Sequence, residues 1–317
     1  MLKTVDTLWK ISTIIVEYPI DIVDWSLMES NNELPKFAVL QLSGCSGCEV
    51  SLLNSDEWIN NFQLVYMPLV VTSNKIPDDV EVLLVSGGVR TDEDIHNLRK
   101  GRSRTKKLIA VGTCALSGGV AQLKDSHVAR EEFLRASHRL RLPGMLPRGY
   151  PIDRFVDVDL YLPGCPPTPE LFMTALKAAD TTRIASIVCQ ECGRKKLQDM
   201  RPTSISGMRG DYVDPEICLI NQGFVCVGTS TRGGCNALCT KPGHACVGCR
   251  GPANPYLNKE PQFVLDNLSR VFTRMTDIPA EEVEAALNSP WLSLFLDQFT
   301  DYTSGEALPK RTKEKMI

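Results

Sequence analysis

Residues 36–185 are predicted to form an α/β domain around a mostly parallel, doubly wound sheet. Residues 186–317 are predicted to follow as an irregular, cysteine-rich domain, and residues 1–35 stand apart as an N-terminal extension. Two observations carry this division. Short apolar, β-rich runs alternate with helix-like stretches through the first half, the pattern of buried strands covered by helices on both faces. The cysteines are unevenly spread: Cys45, Cys48, Cys114 and Cys165 lie in the first 185 residues, while Cys189, Cys192, Cys218, Cys226, Cys235, Cys239, Cys246 and Cys249 crowd into residues 189–249.

Taken in order, the strand-like runs are Phe37–Leu42, Phe62–Val71, Val80–Val85, Lys107–Val111 and Val156–Leu162. A helix is expected to start after Thr91, a good N-cap, with Asp92, Glu93 and Asp94 in the first turn where the helix dipole favours acids. Another is expected over Pro166–Ala179, its prolines confined to the start. Residues 138–154 are rich in proline and glycine and read as a long surface loop. From 186 to 260 periodicity vanishes, and such a segment offers little for a conventional core, so bound metal would have to organise it. Helical patterning returns over 260–299, where Trp291, Phe295 and Phe299 recur every four residues as a core or subunit-contact stripe. The last dozen residues are polar and expected to be mobile.

Composition narrows the function. The chain has 317 residues, 43% hydrophobic and 23% charged, with a formal net charge of −3. That balance fits a well-cored globular protein and argues against a nucleic-acid binder held by bulk electrostatics. Apolar runs reach only about seven residues, far short of a membrane span. Asp6, Glu17, Asp21 and Asp24 interrupt the N-terminal stretch, which reads as neither a signal peptide nor a twin-arginine leader. Twelve cysteines in so long a chain do not suit a secreted disulfide framework. Reduced thiolates bound to metal in a cytoplasmic protein are expected instead.

Cys45 and Cys48 lie in LSGCSGCEVSLLN just after the first strand, Cys114 ends LIAVGTC and Cys165 sits in YLPGCPP. In an open α/β sheet these strand–loop junctions share the carboxyl edge, where ligands bind. Four thiolates converging there, with glycines allowing close backbone approach, suit a four-cysteine iron–sulfur cluster. The other eight divide into two fours: Cys189-x2-Cys192 with Cys218 and Cys226, and Cys235-x3-Cys239-x6-Cys246-x2-Cys249. Their Cys-x2-Cys pairs are also zinc-ribbon spacing, so spacing alone leaves zinc and iron–sulfur both open.

At LSGCSGCEVSLLN, VGTC, LPGCPP and GGCN…CVGC the chain resembles the small, electron-transferring subunit of nickel–iron hydrogenases, over roughly residues 36–255 with the elements in the same order. The resemblance implies a flavodoxin-like first domain that holds a cluster in place of flavin, followed by an iron–sulfur domain. It implies a proximal [4Fe–4S] cluster on Cys45, Cys48, Cys114 and Cys165, and a distal site at Cys189, Cys192, Cys218 and Cys226. Cys235, Cys246 and Cys249 match medial ligands. Many members of that family have histidine where Cys189 stands, and many have proline at the fourth medial place, where Cys239 is available. Both departures favour three [4Fe–4S] clusters using all twelve cysteines. The full-cysteine pattern is similar to cytoplasmic hydrogenases of the methyl-viologen-reducing and deazaflavin-reducing types.

The implied function is a relay of electrons between the Ni–Fe site of a partner large subunit and an external acceptor. That acceptor would be a further reductase or diaphorase subunit or a soluble carrier. The chain itself is expected to bind no nickel and to supply no catalytic residue. Four thiolates around a 2+ core leave −2 per cluster, taking the formal charge to about −9. Other readings are a stand-alone multi-cluster carrier, a zinc-stabilised scaffold and a subunit like the cluster-bearing one of respiratory complex I. The last characteristically has two adjacent cysteines where this chain has Cys45-x2-Cys48. Glu49 reads as a first-turn helix acid, with proton movement as the sharper alternative, and His244 as a hydrogen-bond donor to cluster sulfide. His96, His127 and His138 read as surface residues, and Arg99, Lys100, Arg102, Arg104, Lys106 and Lys107 as a solvated basic loop.

Overall fold

The apolar runs become strands of one parallel sheet in the computed structural model of the chain, which describes residues 34–73, 75–119, 142–177, 186–206, 212–256 and 261–289, with 135, 140 and 259. The strands are β1 (Lys36–Gln41), β2 (Gln63–Tyr66), β3 (Val80–Ser86), β4 (Val89–Thr91), β5 (Thr105–Val111), β6 (Met145–Tyr150) and β7 (Leu160–Leu162). The main sheet has the order β2-β1-β3-β5-β7, all parallel, while β4 and β6 pair antiparallel beside it. With that antiparallel pair set aside, the order is the 2-1-3-4-5 of flavodoxin-like folds, reversing direction between β1 and β3.

Period-two alternation sends successive side chains to opposite faces. Ala38, Leu40, Leu83, Val85, Leu108 and Ala110 pack on one face with Leu98 and Leu116. Phe37, Val39, Val82, Leu84, Ile109 and Val111 pack on the other with Leu52, Phe172 and Leu176. The covering helices are α1 (Gly47–Leu53) and α4 (Pro169–Leu176) on the second face, and α2 (Asp92–Arg102) and α3 (Gly112–Ser117) on the first. Burial on both faces explains why β3 reads VEVLLVS without polar alternation. At the start of α2, Thr91 Oγ1 accepts from the Asp94 N–H at 3.1 Å and the Asp94 carboxylate accepts from the Thr91 N–H at 2.9 Å. This reciprocal box replaces bonds that the first helical turn lacks.

Three expectations are corrected. Residues 138–154 are not one long loop, since Met145–Tyr150 pairs with β4 despite Pro147; an edge strand tolerates proline. The basic run is no solvated loop either: it closes α2 and opens β5. There Arg102 pairs with Asp159 at 3.3 Å, Arg104 with Asp78 at 3.3 Å and Lys106 with Glu81 at 2.7 Å. Lastly, the cysteine-rich region has a core of its own. Leu219, Ile220, Phe224, Val225 and Val227, from irregular chain, pack with Val264, Leu268 and Phe272 of α6 (Pro261–Met275) and Val283 and Leu287 of α7 (Ala280–Leu287). Periodicity misses this core because half of it lies on loops. His96 is exposed. His127, His138, Trp291, Phe295, Phe299, the last dozen residues and residues 1–33 lie outside the described residues.

Thr91→Ala removes the acceptor of the capping box and is expected to cost about 1 kcal/mol of stability. Urea unfolding followed by circular dichroism should show the lower midpoint with an unchanged slope.

Candidate metal centre

Three strands end at the same edge of the sheet, and each leads into a cysteine. After β1 the chain makes an isolated bridge to Gly88 through Ser43, and Ser43 Oγ donates to Asp94 at 2.9 Å, which fixes the loop bearing Cys45. Cys48 lies in the first turn of α1 and Cys114 in α3, directly after β5. Cys165 lies in the loop from β7 to α4, and its peptide bond to Pro166 is cis. Ser51 Oγ donates to Pro167 O at 2.6 Å, and the Thr113 N–H donates to Gly164 O at 2.9 Å, so these loops hold one another.

Cys45, Cys48, Cys114 and Cys165 are brought together. Burial pushes the Cys48 thiol well above its ordinary range, reinforced by Glu49 and then by Cys114, Cys165 and Cys45. Glycine is required beside them. Gly112 has φ +77°, and a Cβ there would stand 2.5 Å from Cys48 Sγ; at Gly119, with φ +57°, it would stand 2.6 Å from Cys114 Sγ. Glu49 is only 2% exposed, accepts from Ser86 Oγ, and lies among Val39, Leu52, Leu84, Val111 and Phe172. It is a first-turn acid as expected, but a buried one.

A second group forms from Cys189 and Cys192 on α5 (Val188–Cys192) with Cys218 and Cys226. Burial pushes Cys189 up to about 12, with Cys226, Cys218 and Cys192 adding repulsion and Lys196 opposing it. Arg194 ties the surrounding loops: Nε donates to Thr240 O at 2.8 Å, and Nη1 donates to Ile217 O at 2.9 Å. The third group comprises Cys235, Cys239, Cys246 and Cys249. Cys249 is pushed up to about 11 by burial and by repulsion from Cys239 and Cys235, against the pull of the Cys165 N–H and the Arg250 guanidinium. His244 Nδ1 meets Ala245 O at 2.8 Å, so that nitrogen serves its own loop.

Adjacent groups adjoin one another. Cys165, in the first group, adjoins Cys249 in the third: each appears among the causes that shift the other's thiol. The Cys246 N–H, also in the third, donates to Cys226 Sγ in the second at 3.4 Å. The spatial order is therefore first, third, second. Two supporting residues escape sequence reasoning, although each adjoins a cysteine: Thr113, whose hydroxyl is shared by Gly164 O at 3.2 Å and Cys249 O at 3.0 Å, and the buried Arg250.

The donor set suits a polynuclear iron–sulfur core. Grouped, buried thiols hold their protons unless a strongly cationic centre stabilises the thiolates, and the glycines keep the space beside the sulfurs free of Cβ atoms. Among the described residues, no three His, Cys, Asp or Glu side chains are grouped for a single metal ion. All twelve cysteines are free thiols.

A flavodoxin-order sheet with thiols gathered at its carboxyl edge, continued by a cysteine-rich region, defines a class of redox subunit. Residues 45–179 match the family model of the NADH ubiquinone oxidoreductase 20 kDa subunit. In Methanocaldococcus jannaschii, one subunit of the vhu F420-non-reducing hydrogenase is 33% identical over 84% of this chain and 94% of its own. The delta subunit of sulfhydrogenase 2 of Pyrococcus furiosus is 32% identical over 69% of this chain and 86% of its own. The actinobacterial-type NiFe-hydrogenase from Ralstonia eutropha H16 aligns with a TM-score of 0.50 at 14% identity, over 81% of this chain and 86% of that one, a likeness of fold. The chain belongs to the hydrogenase small-subunit family, a family of oxidoreductase components. Among the described residues no helix is long and apolar enough to cross a membrane.

Gly112→Ala and Gly193→Ala both place alanine at a positive φ, but a Cβ at Gly193 meets nothing within 4 Å. Both should lose about 1–2 kcal/mol to backbone strain, and Gly112→Ala about 1–3 kcal/mol more from the clash with Cys48. Parallel urea titrations would expose the difference.

Proposed function

We propose that this chain is the electron-relay subunit of a nickel–iron hydrogenase, binding three [4Fe–4S] clusters through its twelve cysteines. In this reading the first group is proximal to the Ni–Fe site of a large subunit, the third medial and the second distal. The observation that carries it is the single line of three thiol groups, the first meeting the third at Cys165 and Cys249 and the third meeting the second through the Cys246 N–H···Sγ bond to Cys226. A cluster, when bound, supplies a one-electron centre whose potential follows hydrogen bonding to sulfur, burial and nearby charge. The chain's own residues do the rest. The Gly228 and Cys246 N–H groups favour thiolate at Cys226 and the Gly248 N–H favours it at Cys246. Hydrophobic packing around Cys218, Cys226 and Cys246 excludes water.

The first group is where a large subunit would dock. Cys45 and Cys165 are exposed, and α1, which carries Cys48, turns Val50 and Leu53 outward. The acceptor, a further reductase or diaphorase subunit or a soluble carrier, would meet the second group in the cytoplasm. The names of the relatives support this reading: the Methanocaldococcus and Pyrococcus proteins are hydrogenase subunits, and their similarity runs beyond residues 45–179.

Anaerobic purification from the native host should yield about twelve iron atoms and about twelve sulfides per chain, a nickel-bearing partner, and H2-dependent reduction of a viologen dye. Stoichiometric zinc without sulfide sinks the cluster assignment, and a stable complex inert to H2 sinks the hydrogenase role. Cys239→Pro should convert the third site towards [3Fe–4S], seen as a new EPR signal after mild oxidation. An unchanged spectrum refutes its fourth-ligand role.

A further inference from the structure

Arg250 follows Cys249 and is only 1% exposed. Its Nε donates to Gly233 O at 2.7 Å and its Nη1 donates to Pro163 O at 2.6 Å. Pro163 stands two residues before Cys165, and Gly233 two residues before Cys235. One guanidinium thus joins the loop of the first thiol group to both limbs of the third. Arginine cannot shed its proton in a protein, so the bonds bring a permanent positive charge into the interior. Burying a charge is costly unless opposite charge lies near, and weakly screened surroundings make that coupling strong.

The second group differs. Lys196, the cation that acts on Cys189, is exposed, so solvent and salt screen it. The charge of Arg250 is therefore held internally between the first and third groups, whereas that of Lys196 is screened.

We propose that Arg250 is the counter-charge and positioning residue of the first and third groups, raising the reduction potentials of their two clusters relative to the second. The inference rests on the three-cluster reading above. Each site gains one negative charge when it takes up one electron. A cation fixed beside two of the three sites stabilises the reduced form of those two selectively. The fork geometry adds a mechanical role, because it sets the gap between Cys165 and the third group.

The test is a mediated redox titration of the intact complex with dithionite, followed by EPR, for wild type, Arg250→Gln and Arg250→Lys. Iron and sulfide content is measured first, so that failure of the cluster reading shows in the wild type before any variant is compared. In Arg250→Gln the reduced-to-oxidised ratio at fixed potential should fall about tenfold at two of three transitions, a shift of about 59 mV for a one-electron couple, and less than about threefold at the remaining one. Arg250→Lys keeps the charge and should recover most of the shift. Equal shifts at all three transitions, no shift in Arg250→Gln, or a lysine variant as low as the glutamine variant overturns the proposal. Loss of iron from both variants assigns Arg250 to assembly alone and overturns it as well.

Discussion

Grouped burial of thiols is the constraint on which the rest of the structure depends. A thiol moved out of water resists ionisation, and neighbouring thiols make each further ionisation harder. Here burial is the leading cause of the raised pKa at Cys48, Cys189, Cys226, Cys246 and Cys249, and repulsion from other cysteines adds to it at each. Such sites do not hold thiolates by themselves. They become consistent once a cationic centre supplies the missing charge, and metal binding then becomes part of folding stability. The opposing features are few and local: backbone N–H donors, Lys196 and the buried Arg250.

The sheet meets this constraint by rigidity. Strands β1, β5 and β7 are gripped on both sides of the sheet by aliphatic packing, so their carboxyl ends cannot drift apart. The cysteine loops that follow are short and bonded to each other through Ser51 and Thr113. The cysteine-rich region lacks a sheet and uses polar staples in its place. Asn221, nearly fully buried, donates to Leu197 O and Met200 O and accepts from the Leu197 N–H, while Arg201 reaches Thr276 O and Asp277 beyond α6. Its core is then closed from outside by Val264, Leu268 and Phe272, a stripe with helical spacing.

The parallel sheet was legible because double burial leaves uninterrupted apolar runs, and α2 because Thr91 and Asp94 form a cap that short-range chemistry dictates. The edge strand Met145–Tyr150 was not, since proline and glycine there obey an edge rule that depends on the partner, not on the segment. Likewise the core around Leu219 and Phe224 has no period to read. Among site residues, the strand-end cysteines could be grouped from topology alone, because parallel strands share one edge. The other eight also divide into two fours along the sequence, but zinc and iron–sulfur chemistry share the Cys-x2-Cys spacing, so spacing left the metal open. Arg250 was hidden for a different reason. A lone arginine after a cysteine is commonplace until its burial and its bonds to Pro163 and Gly233 are known.

The chain meets its thiol groups in the order first, second, third, yet in space the third lies between the others. The reversal is made between Cys226 and Cys249. After Cys226 the chain runs back beside the segment that follows Cys246: the Val227 N–H donates to Cys246 O at 3.0 Å, Thr231 bridges Pro252, and the Arg232 N–H donates to Gly251 O at 3.1 Å. This return places Cys246 against Cys226 and leaves Cys249 and Arg250 facing the sheet edge. The proposed relay requires every gap to be short, and a chain that met its sites in spatial order would need a separate connection across each gap. Folding back lets one short segment serve both, since Cys246 and Cys249 reach opposite neighbours. The same compactness brings a guanidinium and three thiol-bearing loops into one buried junction, so position and charge at the middle of the line are set by the same few residues.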